Sequence, residues 1–348
     1  MDFEIMKRSF FEGFRKLRNM SYWEGCFHAD ENCSERIIKA HSIQNNKILN
    51  KISENGEVLM FGNDIDESLG LKSIMKKEGR KRATTFTGFC GHHDTTIFNP
   101  IENLDYQIGN KQQEFLFAYR ALAHEYHAKK STVEMYKKML ELISREEYSE
   151  LNKIFEHQGP PSPEHLAFMR MMFSAALEGS EDAENRLEIA RSRMNGFLDT
   201  GNFEEVITEV IEFPEEYHIA TSATVIIEKD LEGATVNDLS DFETALAPLF
   251  VTVFPQNNKT YVLLSYLKRN RRRFQFIGNQ ILNKSVPEKK VIISNLLISY
   301  IENIAISPIK WRLLSHEIQN KITVAFLNTA TQVEKPLLHD KQIDVFVL

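Results

Sequence analysis

The chain reads as an α+β protein in three parts: an N-terminal metal-bound module, a helical middle segment, and a C-terminal antiparallel sheet with helices. Three observations predict this order. All three cysteines, Cys26, Cys33 and Cys90, lie in the first ninety residues beside histidines. Apolar residues recur every three or four positions from residue 111 to about 198, and after Gly201 β-branched and aromatic runs replace them. The parts are placed at residues 1–106, 107–200 and 201–348.

Phe3, Phe10, Phe14 and Leu17 stand at helical intervals among lysines and arginines, which predicts an amphipathic helix leading into the first cysteines. From Ile37 to about Asp105 the pattern is short and broken, and a polar, lysine-rich stretch over 62–82 reads as a connection between small strands and a short helix. Residues 111–157 are strongly helical, Gly159-Pro160-Pro161-Ser162-Pro163 breaks that helix, and another begins at Glu164. Strands are expected over Val206–Phe213, Ile219–Ile227, Phe250–Phe254 and Tyr261–Leu267, with a hairpin turn at Pro255-Gln256-Asn257-Asn258-Lys259. Helices follow over about 287–303 and 308–328, and the apolar tail Ile343–Leu348 is expected as an edge strand.

With 42% apolar and 26% charged residues, the 348-residue chain is long enough for more than one core. Its net charge of −7 argues against a protein coated in nucleic acid, while leaving room for a local basic groove. An odd number of cysteines without a disulfide pattern fits a reducing compartment. Met1-Asp2-Phe3-Glu4 lacks the positive charge of a signal peptide, and no stretch approaches a membrane span, so a cytoplasmic protein without a membrane partner is expected.

The cysteines carry the chemistry. Cys26-Phe27-His28 with Cys33, and then Cys90-Gly91-His92-His93-Asp94, supply a four-ligand nitrogen and sulfur set of the kind tetrahedral Zn²⁺ prefers. The first knuckle is irregular: six residues separate Cys26 from Cys33, where about two to four are usual, and His28 is an alternative ligand. The other reading is a set of reduced thiols without metal.

Between the knuckles stands Lys39-Ala40-His41-Ser42-Ile43. A first cysteine pair, then a histidine before an apolar position, then a cysteine–histidine knuckle opening a helix: in this order residues 20–105 resemble the treble-clef members of the HNH, or ββα-metal, nuclease superfamily, including zinc-braced nucleases of bacterial anti-phage defence. The resemblance implies that Cys26, Cys33, Cys90 and His93 hold a structural zinc, and that His41 is the general base. It also implies that Asp94, where the family has a metal-binding histidine, holds a catalytic Mg²⁺ or Mn²⁺. One departure is plain: Thr84-Thr85-Phe86-Thr87 stands where the family commonly has an asparagine.

Lys76, Lys77, Arg80, Lys81 and Arg82, read as a loop ahead of the second knuckle, are candidates for contact with nucleic acid, DNA ahead of RNA; the alternative is a solvated charged loop. Lys268 to Arg273 forms a second basic run, and His124 and His127 read as a polar helix face. The expected function is a metal-dependent HNH-like nuclease that hydrolyses phosphodiester bonds, with residues 201–348 sensing a signal, binding a protein partner or driving homo-oligomerisation. The alternative is a catalytically inactive, zinc-stabilised module that binds nucleic acid or protein.

Overall fold

Helices and strands alternate without a simple repeat. In chain order they are α1 (Phe3–Met20), β1 (Ile37–His41), a π turn (Asn45–Leu49) running into α2 (Asn50–Ile52), β2 (Glu57–Ile65), β3 (Leu71–Gly79), β4 (Thr85–Cys90) and α3 (Gly91–Glu102). The long helices α4 (Lys111–Ser144), α5 (Tyr148–Phe155) and α6 (Pro163–Thr200) follow. The last part holds β5 (Val206–Phe213), β6 (Ile219–Val225), β7 (Leu249–Gln256), β8 (Lys259–Leu267), α7 (Arg271–Phe276), α8 (Val286–Tyr300), β9 (Ile304–Ile306), α9 (Pro308–Leu313) and α10 (His316–Ala330). This computed structural model describes residues 3–347 except 35, 68–69, 146–147, 156–161, 242 and 331.

Seven strands form one antiparallel sheet in the order β3-β2-β9-β6-β7-β8-β5, and β1 pairs separately with β4. The fold is α+β, as the sequence predicts. The turn between β7 and β8 places Asn257 and Asn258 at φ 53° and 62°, the left-handed pair that a tight two-residue hairpin requires. β7 and β8 are apolar almost throughout because both faces of the sheet are covered. Val251, Val253, Val262 and Leu264 pack towards α7, α8 and the C-terminal tail. Phe250, Phe254, Leu263 and Leu267 pack towards α4 and the N-terminal elements.

Three expectations change. The polar stretch over 62–82 is not a connection: β2 and β3 make a nine-residue-a-side hairpin whose β2 joins β9, so the sheet draws on both ends of the chain. The hairpin lies at the edge of the sheet and keeps polar side chains in solvent, which hides it from an apolar pattern. The helix expected over 111–157 is interrupted, because α4 ends at Ser144 and α5 starts at Tyr148. The break expected at 159–163 falls mostly outside the described residues, though Ser162 caps α6 by accepting from the His165 amide at 3.2 Å.

The tail is not a strand. Ile343, Val345 and Phe346 are buried, and the segment is strapped to α8 by side chains instead of a sheet ladder. Asn295, fully buried, accepts from the amides of His339 at 3.1 Å and Asp340 at 2.9 Å, and Ser294 accepts from Val345 at 2.9 Å. Phe346 then sits against Phe213 with ring centroids 4.8 Å apart. Truncation of this side chain, Phe346→Ala, is expected to cost about 3–5 kcal/mol in denaturant unfolding, since a closed core cannot collapse fully around the space left.

Candidate metal centre and the cluster beside it

The first knuckle lies alongside β4: the Gly25 amide donates to Thr87 O at 3.2 Å and the Phe27 amide to Gly88 O at 2.7 Å. Cys26 is thereby held opposite the end of β4, where Cys90 both terminates the strand and caps α3. The Cys90 sulfur accepts from the His93 amide at 3.5 Å, so the helix N-terminus stabilises a thiolate there.

Cys26, Cys33, Cys90 and His93 converge, with ligand atoms within 4.8 Å of one another. His93 Nδ1 lies 3.3 Å from Cys26 Sγ, 3.5 Å from Cys33 Sγ and 3.4 Å from Cys90 Sγ. Tetrahedral bonds of about 2.3 Å to sulfur and about 2.0 Å to nitrogen would separate the two ligand types by roughly 3.6 Å. The observed spacing fits, and the four side chains form a Cys3His cluster that can hold a metal ion. Burial pushes the Cys26 thiol up to about 12. Burial acts the same way on Cys90, but hydrogen bonds from His93 and Ser34 outweigh it and bring that thiol down to about 7. Burial also holds His93 below its usual range, towards the neutral imidazole a ligand must be.

Asp30, not singled out from the sequence, completes the cluster. Its Oδ1 lies 3.2 Å from His93 Nε2, the carboxylate–imidazole arrangement that orients a ligand histidine. Partial burial opposes its charge, yet bonds from Asn32 and the neighbouring His93 and His28 hold its carboxyl below the usual range. His28 stands one layer out: Nε2 is 3.2 Å from Asp199, and Nδ1 is 3.3 Å from the Tyr119 hydroxyl.

The opposite end of β1 carries His41, paired across the ladder with Thr85. Its Nε2 is 3.2 Å from the Arg80 carbonyl, and burial lowers its pKa. Glu102 at the end of α3 and Arg120 on α4 both act on His41 electrostatically, and the same pair acts on Asp94, whose carboxyl burial raises. Arg120 is 3% exposed, donates from Nη1 to Glu102 at 2.6 Å and lies 4.1 Å over the Phe98 ring. Its Nε has no hydrogen-bond partner. Thr84, at the departure from the expected asparagine, has φ 62°, a strained conformation for a β-branched residue, and an unpartnered buried hydroxyl. Sequence spacing signals none of Glu102, Arg120 or the Thr84 strain.

His41, Asp94 and Glu102 do not converge as a ligand cluster among the described residues. The basic run is not a free loop. Lys76 and Lys77 belong to β3 and only Arg80 to Arg82 form a turn. Lys77 meets Glu57 at 3.3 Å, Arg82 meets Glu78 at 3.0 Å, and Arg80 donates to the Asn45 side chain at 2.8 Å. His127 is not on a polar face either: it is 3% exposed and donates to the Trp23 carbonyl at 2.9 Å.

No family model matches the chain, and neither a curated protein nor a solved structure matches it. The resemblance to HNH nucleases therefore gains no support from relatives, and the Cys3His cluster is what stands. No helix among the described residues is long and apolar enough to cross a membrane.

Two outcomes follow from this geometry. Asp30→Asn should weaken metal retention about 10–100-fold in a chelator competition, while Cys90→Ser should lose both metal and stability. Burial holds the His127 imidazole down to about 4. The unfolded chain takes up that proton near pH 6.5, so stability is full above this value and falls as pH drops towards 4. The contribution of this residue is on the order of 2–3 kcal/mol. Denaturant unfolding of His127→Gln at pH 7 and pH 4.5 should show a smaller loss than wild type, and an equal loss would remove His127 as a source.

Proposed function

We propose that residues 20–105 form a zinc-braced strand–strand–helix nuclease of the HNH type, which hydrolyses phosphodiester bonds of nucleic acid with the help of a divalent ion. The observation that carries this reading is the state of His41. With Nε2–H donated to the Arg80 carbonyl and the ring held neutral by burial, its Nδ1 lone pair is available as a base at neutral pH. A water proton passes to that nitrogen, the water oxygen bonds to phosphorus, and the bond from phosphorus to the leaving sugar oxygen breaks.

The Cys3His cluster suits zinc in its donor set and spacing, and its role is to pin α3 to the β1–β4 pair. Asp94 would hold a hydrated Mg²⁺ or Mn²⁺, largely through the ion's own water shell. When bound, such an ion stabilises charge on the phosphoryl and leaving oxygens. The sugar-phosphate backbone would be met by the cations not consumed by ion pairs, DNA being preferred over RNA, and a role as a regulated anti-phage effector fits an activity that must be restrained.

The test is cleavage of supercoiled plasmid and single-stranded RNA with Mg²⁺ or Mn²⁺. His41→Ala should lose about 10²–10⁴-fold in rate while keeping its metal and its thermal transition. Wild-type rate should rise with pH through a value below 6.5 and then level, because the unprotonated imidazole is the active form. Undiminished cleavage by His41→Ala would sink the base. A metal-loaded wild type that binds nucleic acid or protein without cutting would favour the interaction module.

A further inference from the structure

The outer side of β3 is open. This strand ends the seven-stranded sheet, pairs only with β2, and its far side has no backbone partner among the described residues. A groove of about 570 Å³ runs along it, walled on one side by Lys72, Ser73 and Met75 and on the other by His316, Val324 and Leu327 at the flank of α10. We propose that this groove docks an acidic peptide segment in extended form, which adds to β3 as an eighth strand. The inference does not rest on the nuclease reading.

Three features point to that occupant. An edge strand presents alternating amides and carbonyls that only another extended backbone satisfies along its length. Within the groove, the Ser73 hydroxyl is buried, with the residue 9% exposed, and has no hydrogen-bond partner. A polar group taken out of water without a partner is destabilising, and a backbone or side chain laid into the groove would supply one. The third feature is charge: Lys72 lines the groove, only 3.9 Å from Asp64 on β2, no carboxylate lines it, and the exposed Lys76 continues along the same strand.

The same charges select against a second copy of this chain. Pairing β3 with β3 across a two-fold axis would bring Lys72, Lys76 and Lys77 of both copies together, and facing like charges destabilise a strand pair. Lysines on an edge strand are a common defence against self-pairing, and the defence does not operate against carboxylates. Val324, 45% exposed, and Leu327 would meet the apolar side chains on one face of the added strand.

The experiment uses the full chain with a panel of fluorescein-labelled peptides about ten residues long, alternating Glu, Asp or Thr with Val or Ile. Binding is read by fluorescence anisotropy and backbone pairing by hydrogen–deuterium exchange. The expected result is saturable binding with slowed exchange confined to residues 71–77 on β3. Lys72→Glu and Val324→Glu, both at exposed positions and verified as folded by circular dichroism, should each weaken binding by roughly tenfold or more. A proline-interrupted peptide of the same charge should not bind, since it cannot complete the ladder. Equal binding of that peptide, unchanged binding by both variants, or no binding by any panel member would overturn the proposal. So would protection of β3 that rises with protein concentration alone, which would identify a second copy.

Discussion

A helix buried on nearly every side must find partners for its polar side chains inside the protein, and α4 is such a helix over residues 113–127. It lies between the seven-stranded sheet and the N-terminal module, so neither can be placed without it. Most of its polar positions are satisfied by the N-terminal module or the loop that follows it, while Tyr119 and Tyr126 donate to Asn195 and Glu188 on α6. Gln113 donates to the carbonyls of Pro100 and Asp105, both at 3.0 Å, and accepts from the Gln107 amide at 2.9 Å. Glu114 accepts from Gly109 at 3.0 Å, Arg120 pairs with Glu102, and His127 reaches the Trp23 carbonyl. Each bond is short-ranged and directional, and losing one would strand a buried polar group, so together they fix the rotation of α4 against β1, β4 and α3.

That fixed rotation explains why the metal cluster and the His41 neighbourhood belong to one assembly. Tyr119, one residue before Arg120, donates from its hydroxyl to Asn195 at 2.6 Å and lies beside His28. From α6, Arg191 donates to the Phe27 carbonyl at 2.7 Å and Asn195 to the same oxygen at 3.1 Å. The knuckle is thus held at the Phe27 backbone from α6 and at the His28 side chain from α4. One side of α4 positions the surroundings of the Cys3His cluster, while Arg120, with Glu102, adds to the effect of burial on His41 and Asp94.

What could be read from the sequence divides along a physical line. Clustered cysteines with a Cys-x2-His spacing report their own chemistry, because the ligands Cys90 and His93 are brought together by a single turn of α3. β7 and β8 were legible because a doubly covered strand is apolar throughout. The hairpin β2–β3 was not, since an edge hairpin keeps lysines on its surface and resembles a loop. β9 is three residues long and too short to show a period. Asp30, Glu102 and Arg120 act through tertiary contacts from three separate elements, and nothing local marks them. The tail illustrates the remaining case: its apolar run reads as an edge strand, but the choice between a ladder and side-chain straps was made by Asn295 and Ser294 on a helix about fifty residues earlier.

The strain at Thr84 ties these levels together. A two-stranded pair such as β1–β4 is marginal alone and holds its shape only through what packs on it. Here the chain leaves β1 after His41, builds the whole β2–β3 hairpin into the distant sheet, and returns through Arg80 to Thr84 before β4 begins. The return is pinned by the Ser42 amide donating to the Thr84 carbonyl at 2.9 Å, and Ser42 in turn accepts from Asn303 at 2.8 Å, next to β9. A left-handed threonine costs about 1–3 kcal/mol and persists only where surrounding contacts over-determine it. Those contacts come from the sheet, so the sheet's assembly is what holds the Arg80 carbonyl against His41. The orientation of the His41 imidazole is therefore a product of the C-terminal part of the chain as much as of the N-terminal module that carries it.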